Sequence, residues 1–249
     1  MTALILALVA GAVIGLALGG LGGGGSVLAV PALIYLLGFT TAEATTASLV
    51  IVTLTSVTGL TGHARDGNVA WRTGLLFAAA GIVPAMLAGA VAGHLPQALL
   101  TIAFSLVAAL AALRMLRPAR PAPDSGARID PGKAGAVGAG LGAVTGFLGV
   151  GGGFLAVPAL VGVLRLPMRR AVGTSLLVIT VNSLAALGAR AGTGIHLDWA
   201  VVAPFTAAAM LGAWDGKRLA GRLRGGTLQR VFAWALLAVA VFMLADVFV

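Results

Sequence analysis

Cysteine is absent from the chain, which excludes a disulfide scaffold, thiolate metal sites and cysteine nucleophiles. Charge is scarce as well. Asp, Glu, Lys and Arg make up 9% of the 249 residues, against about 25% in a soluble domain, too few to coat a soluble core of this size. The acidic residues are Glu43, Asp66, Asp124, Asp130, Asp198, Asp215 and Asp246, and none lies centrally in a long apolar run. A cation site built on carboxylates, or an acidic proton relay, therefore has no obvious ligands. His63, His94 and His196 show no metal-ligand spacing, so no metal and no organic cofactor is expected. Positive charge is missing from the start, since the first basic residue is Arg65. A cleavable signal peptide opens on basic residues, so none is expected, and MTALILALVAGAVIGLAL is read as part of the mature chain.

Apolar residues, by contrast, reach 59%, and the mean hydropathy is +1.07. This composition predicts an all-α, polytopic membrane protein with the lipid bilayer as its solvent. The formal charge of +9 would suggest nucleic acid in a soluble protein. Here the position of the charges matters more, and the run KRLAGRLR (217–224) reads as a topology signal beside acidic lipid, with no nucleic-acid partner.

The chain repeats itself. Residues 15–33 read GLALGGLGGGGSVLAVPAL and residues 142–160 read GAVTGFLGVGGGFLAVPAL, with 12 of 19 positions identical at an offset of 127. The offset pairs Ser48 with Ser175, Ser56 with Ser183, His63 with Arg190 and, after one inserted residue, Trp71 with Trp199. The chain divides into repeat 1 (1–116), a Pro-rich charged linker (117–133) and repeat 2 (134–249). In each half a short apolar run (3–18; 134–148) leads into a glycine cluster and a second short run follows (26–39; 154–164). Three longer runs come next: 44–62, 73–93 and 95–113, then 171–189, 197–214 and 231–249. A crossing helix needs about 17–25 residues, so the six longer runs qualify and the four short ones read as too short.

Each short pair is either one broken crossing helix or a re-entrant hairpin. Charge chooses between them. With hairpins, all basic residues but Arg190 fall on one side; with single crossings they divide evenly. The positive-inside rule favours hairpins, a cytoplasmic basic side and both termini outside. The two hairpins then enter from opposite faces and the halves are inverted repeats, a construction common among secondary transporters.

Irregular backbone inside a bilayer survives only against protein or a wet cavity. Gly22–Gly25 and Gly149, Gly151, Gly152 and Gly153 supply such backbone. Each cluster precedes a short helix whose free N–H groups carry about half a positive charge. Two such ends facing one cavity would hold an anion. Close helix packing through small residues is the competing reading of the glycines. Neither cluster is a nucleotide loop, because no Lys-Ser/Thr follows. On the helix after each hairpin, Ser48 and Thr55 share a face, as do Ser175 and Asn182. Back-bonding to the helix's own carbonyls competes for most hydroxyls in 45–61. Asn182 stands out, because an amide at mid-depth needs a partner. His63 at a helix end is a candidate proton-linked group, with an interfacial histidine as the commoner reading, and Trp71 and Trp199 read as interfacial anchors.

The doubled glycine-to-LAVPAL signature, with ATTASL (44–49), VGTSL (172–176), GNVAW (67–71) and GIHLDW (194–199), resembles the sulfite exporter TauE/SafE family over nearly the whole chain. The resemblance implies a multi-pass protein of the bacterial inner membrane that moves sulfite, sulfoacetate or other organosulfonates. It highlights Gly24, Gly25, Pro31, Ser48, Gly151, Gly152, Pro158, Thr174, Ser175 and Asn182. His63 stands where the second half has Arg190, so the halves need not contribute equally.

The expectation is a secondary transporter, not an enzyme, for a small anion. N–H groups at Gly24, Gly25 and Ser26 and at Gly151, Gly152 and Gly153 would hold its oxygens. Ser48, Thr55, Ser175 and Asn182 would complete the shell, and Arg190 would attract anions at the outer mouth. An anion channel, a membrane-embedded enzyme and a non-transporting scaffold stay open as alternatives, and a homodimer is compatible with the sequence.

Overall fold

A computed structural model describes residues 2–92, 96–116, 130–147, 153–190 and 197–246. Ten α-helices occupy these residues: α1 (Thr2–Leu21), α2 (Ser26–Pro31), α3 (Thr41–Arg65), α4 (Trp71–Ala92), α5 (Gln97–Leu116), α6 (Pro131–Phe147), α7 (Gly153–Gly162), α8 (Met168–Arg190), α9 (Trp199–Arg222) and α10 (Gly225–Asp246). A 3-10 turn at Gly22–Gly25 joins α1 to α2, and a π turn at Ala32–Leu36 prolongs α2. No strand occurs among the described residues.

Local chemistry sets the helix starts. Thr40 caps α3 through a reciprocal pair: its Oγ1 accepts from the Glu43 N–H, and the Glu43 carboxylate accepts from the Thr40 N–H at 3.0 Å. Asp198 caps α9 by accepting from the Ala200 N–H at 3.0 Å. Pro31 lacks an N–H, and its ring crowds the preceding turn. The helix widens to the π turn immediately after it.

Among the described residues, six helices are long and apolar enough to cross a membrane: α1, α3, α4, α5, α8 and α10. The set differs from the sequence expectation by one exchange. Residues 3–18 looked too short, but α1 runs 20 residues because Gly19 and Gly20 stay helical. Residues 197–214 looked sufficient, but Trp199, Pro204, Trp214 and Asp215 lower the hydropathy of α9 and its last turns carry Lys217, Arg218 and Arg222, so it falls outside this set. Burial separates centre from periphery. In α8, 61% of the apolar window is buried, against 22% in α4. Outward-facing Leu75, Val83, Met86 and Leu87 on α4, and Val231, Trp234 and Phe242 on α10, are exposed, which suits contact with lipid.

The packing has a reciprocal pattern. Gly11, Gly15 and Gly19 of α1 lie against the backbone of α9 at Phe205, Ala209 and Ala213. Gly138, Gly142 and Gly146 of α6 lie in the same way against α4 at Phe77, Gly81 and Ala85. A Cβ at any of these glycines would overlap the facing carbonyl, so only glycine allows the approach. Close packing through small residues, weighed above for the glycine clusters, thus belongs to these spaced glycines one to three turns earlier.

α3 and α8 cross the centre antiparallel. The Ser56 and Thr180 hydroxyls share a 2.9 Å hydrogen bond, and Arg190 reaches Thr45 and Thr46. One apolar cluster gathers the start of α1 (Ala7, Ala10), the π turn (Leu33) and the start of α3 (Ala44, Ala47). Another gathers the start of α6 (Ala134), the chain after α7 (Leu164, Leu166) and the start of α8 (Ala171). α1 and α6 thus each share an apolar cluster with the chain that follows the short helix after them, an arrangement compatible with the expected re-entrant pairs. The Lys217–Asp66 ion pair, the Arg169 bonds to Gly221 and Leu223 and the Gln229 bond to Met115 join the α3, α5 and α9 C-termini to the α8 and α10 N-termini. This is the basic end of the molecule, and Arg190 lies at the other.

Candidate functional site

The described ends of the two glycine clusters, Gly23 and Gly153, meet. Gly22 takes φ +71°, a left-handed conformation that glycine adopts without penalty. That one residue ends α1 and turns the chain onto α8, where a Cβ on Gly22 would strike the Ser175 hydroxyl. Gly23 then lies directly on the Gly153 carbonyl at the start of α7. A Cβ on Gly153 would sit 2.9 Å from Ser26 Oγ and 2.7 Å from Ile179 Cγ1. Ile179 is at the midpoint of α8, so the meeting point is half-way along the central helix.

Hydrogen bonding narrows which groups are available there. Ser26 donates both its N–H and, at 2.7 Å, its hydroxyl to the Gly23 carbonyl. Its N–H is therefore engaged and is not free for an anion. Gly25 ends that turn. Gly151 and Gly152 lie outside the described residues; Gly153 opens α7.

Back-bonding accounts for most of the hydroxyls. Ser48 donates to the Thr45 carbonyl and Ser175 to the Val172 carbonyl, each at 2.8 Å. In 45–61, Thr45, Thr46, Thr53, Ser56, Thr58 and Thr61 do the same. Thr55 is the exception: it is 1% exposed and its Oγ1 has no partner among the described residues. The Asn182 Oδ1 is likewise buried without a partner. Thr55 and Asn182 are equivalent positions of the sequence repeat. Leaving a buried polar atom unpaired costs about 1–3 kcal/mol. The two atoms stand at matched positions on the two central helices, each without a partner among the described residues.

Other sequence candidates act at the margins. Thr174 Oγ1 accepts from the Ala70 N–H at 3.0 Å and ties the α3–α4 loop to α8. Arg190 Nη1 donates to Thr45 and Thr46 at 2.9 Å each, joining the end of α8 to the start of α3. Trp71 and Trp199 are exposed at the starts of α4 and α9, at opposite ends. Pro158 lies inside α7. Sequence reasoning missed the paired glycine ladders on α1 and α6. Their signal was in plain view, glycine at every fourth position in both halves at the repeat offset.

Comparison with known proteins agrees with this architecture. The family described as sulfite exporter TauE/SafE matches residues 7–243. The chain belongs to the TauE/SafE family. A probable membrane transporter protein of Xylella fastidiosa strain 9a5c is 35% identical over 248 residues, covering 97% of this chain and 95% of its own. Its counterpart in strain Temecula1 is 35% identical over 249 residues with the same coverage. No solved structure matches. As a TauE/SafE protein the chain is multi-pass, with six helices able to span.

Proposed function

We propose that this TauE/SafE chain is a secondary transporter, probed best as an exporter, of small sulfur-containing oxyanions such as sulfite, sulfoacetate or other organosulfonates. The observation that carries the reading is the pair of unpartnered atoms, Thr55 Oγ1 and Asn182 Oδ1, at equivalent places on the two central helices. Thr55 Oγ1 can donate to an oxyanion directly. Asn182 can present its amide N–H₂ while Oδ1 takes a water or a protonated oxygen. The start of α7 at Gly153, packed on Ile179 one turn from Asn182, adds a positive dipole end. The family and the two relatives' names support transport. No catalytic activity is assigned.

The halves 1–116 and 134–249 are read as inverted repeats about the linker 117–133. Reciprocal packing of α1 on α9 and of α6 on α4 supports this. With the basic end cytoplasmic, both termini face outward from the inner membrane. The tips touch in this arrangement, so an anion enters when one repeat rocks against the other. The test is a panel of sulfite, sulfate, sulfoacetate, taurine and carboxylates in proteoliposomes under a proton gradient. Saturable flux with counterflow of sulfite or a sulfonate supports the reading. Fast flux without counterflow replaces it with a channel, and no anion flux removes it.

A further inference from the structure

A polar pocket lies at the basic end, about one turn from the break at Gly22. His63 and Asp66 come from the end of α3, Asn68 from the loop after it, Arg169 from the first turn of α8, and Lys217 and Gly221 from α9. His63 is 5% exposed, and its Nε2 lies 3.0 Å from the Gly19 carbonyl. A carbonyl only accepts, so Nε2 carries the hydrogen. In the neutral ring Nδ1 is then a bare lone pair, and it has no partner among the described residues.

The charges around the ring decide what can satisfy that atom. Asp66 and Lys217 pair at 2.8 Å, and Lys217 holds the Asp66 carboxyl below its usual range, so the two offset each other. Arg169 adds a positive charge. Both of its bonds, to the Gly221 and Leu223 carbonyls, use Nη2. Against the ring, α1 brings only the Gly19 carbonyl, and on the pocket wall α10 brings apolar Leu228. The wall is net positive and selects anions. A fully ionised oxyanion has no hydrogen to offer Nδ1, so it can bond there only after Nδ1 has taken a proton.

We propose that this pocket binds a small oxyanion and one proton together, with the anion on Arg169, Asn68 and Lys217 and the proton on His63 Nδ1. The proton comes from bulk water, and the anion balances its charge. The inference rests on the anion-transporter reading and supplies its coupling ion. His63 also links the pocket to the tip, because its other nitrogen holds Gly19, one turn before the break at Gly22. The repeat puts Arg190 at the equivalent position of the opposite end.

The test uses the full chain in phosphatidylcholine nanodiscs and methanesulfonate as probe, since this anion carries no proton of its own near neutral pH. Calorimetry in two buffers of different ionisation heat counts the protons taken up. About one proton per bound anion is expected at the upper end of the range from about pH 5.5 to about pH 8, where imidazole changes charge. Affinity should fall, approaching about tenfold per pH unit for a one-proton linkage. His63→Gln keeps an N–H for Gly19 and should bind with neither proton uptake nor pH dependence. Asn68→Asp adds a carboxylate to the wall and should weaken binding about tenfold or more. Wild-type protein that fails to bind methanesulfonate, or binds it without proton uptake, overturns the proposal without any variant. So does proton uptake that persists in folded His63→Gln. Anion flux in liposomes with proton-silent binding defeats this inference alone, whereas absence of all anion flux defeats the transporter reading beneath it.

Discussion

Ser26 and Gly153, equivalent residues of the two halves, face each other: a Cβ built on Gly153 would lie 2.9 Å from Ser26 Oγ. That is close to the separation of a cysteine Sγ from its partner's Cβ across a disulfide, about 3 Å given the S–S bond length. The chain has no native cysteine to interfere. Ser26→Cys with Gly153→Cys should therefore form a bond under mild oxidant and hold the tips together. If transport requires the tips to part, flux should stop on oxidation and return on reduction. Ile179 Cγ1, 2.7 Å from the new Cβ, must turn about χ1 to make room. Full flux through the oxidised, cross-linked protein would show that the tips do not move during transport.

A second prediction uses one substitution with opposite signs at two places. Gly15 lies on the Ala209 backbone, so Gly15→Ala pushes α1 off α9. Overpacking of this kind costs about 1–3 kcal/mol, and the obstacle here is backbone, which cannot rotate away. Gly140, on α6, meets nothing within 4 Å of its Cβ position. There Gly140→Ala keeps only the gain in helix propensity, about 1 kcal/mol. Thermal unfolding in detergent should show the first variant melting below wild type and the second level with it or above. Equal melting would mean that the α1–α9 approach is looser than described.

Much of the fold was legible because membrane burial writes long apolar runs and the repeat doubles every signal. The re-entrant reading rests on where Arg190 stands relative to all other basic residues. The length of α1 was not legible, since Gly19 and Gly20 look like breakers until Ala213 and Gly216 are seen packed on them. The hydroxyl candidates were only partly legible for a different reason. Sequence gives a Ser or Thr its position on a face, but whether its proton returns to a carbonyl one turn back depends on rotamer. Ser48 and Ser175 went that way and Thr55 did not. Contact between the tips was beyond periodicity altogether, because it depends on how two hairpins fold back.

Orientation is open to a direct check. The end holding Arg65, Arg169 and Lys217 is joined by the Lys217–Asp66 pair and the Arg169 bonds, and the positive-inside rule puts such an end in the cytoplasm. Phosphatase or fluorescent-protein fusions after residue 40 and after residue 194 should report the outside, and a fusion after 167 the cytoplasm. An external 167 would invert or break the hairpin arrangement and move the titrating pocket to the other face.

The sharpest separation of function from architecture comes from Thr55 and Asn182. A structural polar group is bonded, so removing it destabilises the protein. An unbonded one carries a penalty of about 1–3 kcal/mol, and removing it relieves that penalty. Thr55→Val keeps the shape of the side chain and deletes the orphan oxygen. Asn182→Leu does the same at nearly matching volume. Each variant should melt at or above the wild-type temperature while anion flux falls by about tenfold or more, since a lost hydrogen bond to a charged group is worth about 1.5–3 kcal/mol. Because the two positions are equivalent in the repeat, the double variant should be the most stable and the least active of the set. Lower stability in both single variants, with flux per folded molecule unchanged, would make these atoms part of the scaffold and take the proposed anion shell away from α3 and α8.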